Sequence, residues 1–119
     1  MSEQREVPRV IYCRCAYAQV VPPEVKDGVL EHLSGGGRVF EAVADLCEMS
    51  AQRDGRLLEI AGGGPVKIAA CHRRAVLWLF HAAGAPLAAE GVEVVNMRKL
   101  SAAAASARLD AEEIDSAAD

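Results

Sequence analysis

Short runs of β-branched and apolar residues alternate along this chain with stretches whose apolar positions recur every three to four residues. Arg9 to Cys13, carrying Val10-Ile11-Tyr12, reads as a short buried strand. Pro22-Pro23 opens a helix through Leu33, with proline tolerated in its first turn and Val25, Val29, Leu30 and Leu33 on one face. Gly35-Gly36-Gly37 ends that helix, and a second strand is expected over Arg38 to Val43. Ser50 is then the expected N-cap of a helix running to Ala61, with Leu57, Leu58 and Ile60 apolar. Gly62-Gly63-Gly64-Pro65 stops it before a nearly all-apolar run, Val66 to Ala70, which suits the centre of a parallel sheet.

A third helix is expected over His72 to Ala83. Val76, Leu77, Leu79 and Phe80 face inward, Trp78 is read as core, and Gly84 takes the C′ position. Val92 to Val95 is a fourth strand, and an Ala-rich helix covers Ser101 to Leu109. The order βαβαβαβα predicts an α/β fold: a small, mostly parallel sheet of about four strands with right-handed helical crossovers. The domain spans 9–109, after a polar lead-in at 1–8 and before an acidic tail at 110–119 that is expected to fray.

Composition narrows the class. A chain of 119 residues has room for one core. No apolar run approaches the ~20 residues that cross a bilayer, and the polar start has no signal-peptide core, so membrane insertion is not expected and a cytoplasmic setting is. The formal charge of −4 is concentrated at the end, where Asp110, Glu112, Glu113, Asp115 and Asp119 stand without a base. The body is near neutral with scattered bases, which argues against nucleic-acid binding.

Chemistry enters with the cysteines. Cys13, Cys15, Cys47 and Cys71 each fall where an apolar strand-like run gives out, so parallel pairing gathers them at the C-terminal strand edge, where open α/β sheets bind ligands. Reduced thiols in the cytoplasm favour metal or redox chemistry over a disulfide framework. Four thiolates suit a soft metal or an iron–sulfur cluster. The spacing matches neither the paired C-x2-C of zinc ribbons nor the ferredoxin run, and any site needs the fold to bring Cys47 and Cys71 to the C-x-C pair. Zinc held by the same cysteines in a structural or interaction module is the alternative, as is a thiol–disulfide redox protein using the C-x-C dithiol. Taken singly, each cysteine also fits an ordinary buried position.

The segments Val10-Ile11-Tyr12-Cys13-Arg14-Cys15, Asp45 to Gln52, Val66 to Arg74 and Val94-Val95-Asn96-Met97-Arg98 resemble the N-terminal domain of the flavin-carrying subunit of heterodisulfide reductase. The similarity runs in the same order over residues 9 to 100. It implies a [4Fe–4S] cluster in an electron-transfer chain, with Cys13, Cys15, Cys47 and Cys71 as ligands. Ala16 stands where the family has Gly, and Arg73 where it has Pro. The family's flavin domain has no counterpart in the sequence, so the chain is expected to be an electron-transfer component rather than a catalyst alone, with a redox partner protein such as a flavoprotein supplying the flavin.

Arg14, His72, Arg73, Arg74 and Arg98 lie next to the predicted edge, where positive charge stabilises an added electron on a cluster. His72 also suits helix capping. His32 and His81 lie inside predicted helices with no evident partner, and no hydrolytic triad, carboxylate pair or phosphate loop stands out.

Overall fold

Valine, isoleucine and alanine dominate the strands seen in a computed structural model of the chain, which describes residues 8–14, 21–36 and 39–116. Strands β1 (Arg9–Cys13), β2 (Glu41–Val43), β3 (Val66–Ala70) and β4 (Val92–Asn96) form one parallel sheet in the order β2-β1-β3-β4. Helices α1 (Pro23–Gly35), α2 (Leu46–Ala51), α3 (Arg56–Ala61), α4 (Arg73–Ala82) and α5 (Ala102–Asp110) complete it, with a 3-10 turn at Ala89–Gly91. The expected α/β fold with four parallel strands is the observed one.

The strand order sets the layers. The first crossover runs from β1 to the edge strand β2, and every later one moves the opposite way. Right-handed crossovers then place α1 on one face and α2 to α4 on the other. Packing agrees, since α1 lies on α5 and α2 on α4. Strands β3 and β4 are buried at every position, as strands covered on both faces must be. The helices interlock closely on the α1 side. A Cβ at Gly28 would sit 2.7 Å from the Cβ of Ala102, so only glycine lets α1 approach α5 this far.

Several expectations change. The helix from Ser50 to Ala61 is two helices. Asp45 caps the first, accepting from the backbone N–H groups of Cys47 at 2.8 Å and Glu48 at 3.3 Å. Arg53 then turns the chain with φ of 52°, and Asp54 accepts from the Arg56 N–H before α3 begins. Ser50 is no cap; it lies in α2 and its hydroxyl donates to the Leu79 carbonyl at 2.8 Å, joining α2 to α4. Trp78 is not core but 63% exposed. The buried stripe of α4 is Val76 and Phe80, and Trp78, two positions from each, projects from the opposite side. His32 has a partner: its Nε2 meets Asp110 at 2.9 Å.

Strand β2 is shorter than expected, because residues 39–40 fall outside the ladder and 37–38 lie outside the described residues. Gly84 follows the α4 C-cap with φ of 81°, the left-handed turn expected for it.

The alternation in β3 and β4 hides an ionic core. Lys67 and Glu93 are register partners, both fully buried, with Lys67 Nζ 3.1 Å from Glu93 Oε1. Lys67 also donates to the Arg108 carbonyl at 2.6 Å. Arg108 grips Glu93 with two bonds, at 2.7 and 3.0 Å, and the Asp115 N–H adds a third at 3.0 Å. The end of α5 and the acidic segment after it are thereby tied to the sheet through one carboxylate. Burial works to raise the Glu93 pKa, but Arg108, the Asp115 amide and Lys67 outweigh it and hold it below the usual carboxylate value.

Candidate functional site

The sheet reverses its direction of growth between β1 and β3, and open parallel sheets take ligands in the crevice beyond the carboxyl ends of their strands at such a point. Cys13 is the last residue of β1, and Cys71 is the first residue after β3. Tyr12 pairs with Ala69, so the two cysteines end neighbouring strands on either side of that reversal. Cys47 sits in the first turn of α2, shortly after β2 ends. Cys15 lies outside the described residues.

Alternation along β1 fixes where Cys13 points. The Tyr12 hydroxyl donates to the Lys26 carbonyl of α1 at 2.9 Å, so Cys13 must face the opposite layer. There its sulfur accepts the Leu46 N–H at 3.4 Å, which ties the end of β1 to the start of α2. Cys13 is buried, Cys71 half-buried and Cys47 exposed, all as free thiols.

The thiols feel one another. Burial first, then the Asp45 carboxylate, then Cys71 and Cys13 push the Cys47 pKa up. Burial likewise raises Cys71, with Cys13 adding to it, while backbone N–H groups at Cys71 and His72 and the Arg98 charge pull the other way. Burial is the largest cause at both thiols, so each is held in its neutral form. Among the described residues, no three His, Cys, Asp or Glu side chains form a group that could hold a metal ion.

Asp45 bears on this chemistry twice, as the cap of α2 and as the nearest charge to Cys47. It is 2% exposed. Changing Asp45→Asn keeps an oxygen for the cap and removes the charge. The Cys47 thiol should then alkylate with iodoacetamide roughly two- to tenfold faster at pH 8, because its thiolate fraction rises. Mass spectrometry of the labelled thiol against time checks this. An unchanged rate would mean that Asp45 acts only as a cap.

The basic residues expected around the edge divide by role. Arg14 follows β1 and its carbonyl accepts from Lys26 Nζ at 3.0 Å, while its side chain is exposed. His72 caps α4, its Nδ1 accepting from the Ala75 N–H at 3.4 Å. Arg73 donates to the Val92 carbonyl at 3.0 Å and so braces α4 against β4. Arg98 is exposed just after β4, its N–H held by the Asn96 side chain at 2.9 Å. Its charge reaches Cys71, which ties the β4 loop electrically to the thiols. The role of Asp45 escapes a reading that starts the helix at Ser50, although a D-x-x-E pattern opens α2 and signals a cap.

The fold is a doubly wound α/β domain in which β1 ends at Cys13 and β3 is followed at once by Cys71. Comparison with family models, curated proteins and solved structures finds no match for the chain.

Proposed function

We propose that the chain is an iron–sulfur electron-transfer component, with Cys13, Cys15, Cys47 and Cys71 holding a [4Fe–4S] cluster and a separate redox partner, such as a flavoprotein, exchanging electrons with it. The observation that supports the reading is that Cys13 and Cys71 end the neighbouring strands β1 and β3 on either side of the sheet's reversal, with Cys47 in the first turn of α2. The resemblance of the surrounding segments to the heterodisulfide reductase domain points the same way. The group, when bound, supplies a one-electron store.

The protein's own residues would do the rest. The Leu46 N–H on Cys13 Sγ withdraws charge from that sulfur, which favours the reduced state. Arg98 and the backbone N–H groups at Cys71 act in the same sense. Cys13 would hold the group from the core, and Cys47, which is exposed, would hold it from the surface.

Anaerobic purification followed by iron, zinc and acid-labile sulfide analysis tests the proposal. About four irons per chain with matching sulfide is expected. One zinc without sulfide would make the cysteines a structural clamp. No metal after reconstitution would overturn the reading.

A further inference from the structure

Helix α4 starts just after Cys71 and carries an outward face that is both basic and aromatic. Arg74, Trp78 and His81, at spacings of four and three, share that face and are all exposed. Trp78 is 63% exposed and lies against His81 with ring centroids 5.6 Å apart. At the head of the helix, His72, Arg73, Arg74 and Leu77 line an open cavity of about 530 Å³. An exposed tryptophan flanked by arginine is the composition of an interface hot spot rather than of ordinary surface.

Charge says what kind of surface would meet it. The chain is net −4, yet Arg14, Arg73, Arg74, Arg98 and Lys99 stand at the strand ends or the first turn of α4. The acids in the matching positions are Glu24, the buried Asp45, and Glu48, which is bonded to Gln52. The acidic end lies elsewhere: Asp115 is tied to Glu93, on the face that carries α5. A molecule polarised in this way is turned by an acidic surface so that its cysteine edge leads.

We infer that the outer face of α4, from Arg73 to Trp78, is the docking surface for a protein that presents an acidic patch. The inference deepens the electron-transfer reading by naming the partner's surface, and rests on that reading for its purpose. Trp78 packs against the partner while Arg74 and its basic neighbours set the orientation, which brings the partner against the Cys71 end of the sheet. The exposed indole of Trp78 on this face favours a protein over a nucleic acid.

Trp78 is the chain's one tryptophan and therefore its own reporter. Poly-L-glutamate is titrated at neutral pH and low salt into the full chain, on the preparation whose metal has been counted. The expected result is a blue shift of the emission and protection from acrylamide quenching. Both should reverse in 1 M salt, where the Debye length falls to about 3 Å. Arg74→Glu should weaken the response roughly tenfold, whereas Arg56→Glu, the same charge change on α3, should leave it within about twofold.

No response, an equal response to poly-L-lysine, or equal loss from both variants would overturn the proposal. Stronger protection by a DNA duplex of matched charge would also overturn it, in favour of a nucleic-acid surface. Because the fluorescence readout needs no metal, failure here is distinguishable from failure of the cluster reading.

Discussion

Replacing Glu93 with alanine is expected to cost about 3–5 kcal/mol of folding stability, because it leaves the Lys67 ammonium buried without its counter-charge. That is a large share of the ~5–15 kcal/mol that holds a domain together. Three groups lose their acceptor at once: Lys67, Arg108 and the Asp115 N–H. Arg108 can turn to water, since its side chain is 37% exposed, but Lys67 at 0% cannot. Urea midpoints at pH 7 for Glu93→Ala and for the paired change Lys67→Met with Glu93→Leu separate the two sources of cost. The pair should recover most of the loss, because a well-packed apolar pair removes the buried charge along with its partner. A double variant as unstable as the single one would mean that the carboxylate's hold on α5 matters more than the ion pair.

The same carboxylate dictates an acid limit. Its pKa in the folded chain is lowered, so the ionised form binds the fold better than the protonated form does. The contribution is complete above the unfolded carboxylate value of about 4.3 and is lost as pH falls through the lower folded value. Urea midpoints measured from pH 7 downward should therefore fall more steeply in the parent chain than in Glu93→Gln, and the two curves should converge in acid. Parallel curves would show that other carboxylates govern acid unfolding.

This network also marks where the sequence can and cannot be read. Strands β1 and β3 begin and end where their apolar runs do, because a strand buried on both faces has no polar partner to blur its limits. Lys67 and Glu93 sit inside such runs, and nothing local tells a buried ion pair from two surface charges. Their partner Arg108 lies on another element, so only the register of β3 with β4 and the docking of α5 bring the charges together. Trp78 departs from expectation for a related reason. Residue type suggests burial, while the spacing of Val76 and Phe80 already assigns the inner face of α4. The break between α2 and α3 turns on a left-handed Arg53, a conformation that sequence pattern rarely signals in a residue other than Gly, Asn or Asp. The positions of Cys13 and Cys71 follow directly from strand ends; that of Cys47 depends on the Asp45 cap.

Cys47 is the residue whose substitution best separates a working metal site from ordinary buried thiols, because packing alone gives it no role. It is exposed, and the Asp45 carboxylate beside it has its own duty as a cap. In metal-free protein Cys47→Ser should therefore shift stability by no more than about 0.5 kcal/mol. In protein loaded anaerobically with iron and sulfide, the same change should remove the bound metal, its visible absorption and the stability that binding adds. A ligand held by the native state alone contributes about 4 kcal/mol at roughly a thousandfold excess over Kd. Cys13→Ser makes the complementary case: its sulfur lies in the core and accepts the Leu46 N–H, so it should lose stability with or without metal. Thermal melts of both variants, with and without metal, make the comparison. A Cys47→Ser protein that melts like the parent chain in the loaded state would remove Cys47 from the ligand set. One that loses only the metal-dependent part would place the exposed thiol among the ligands and leave Cys13 with a second, structural duty at the end of β1.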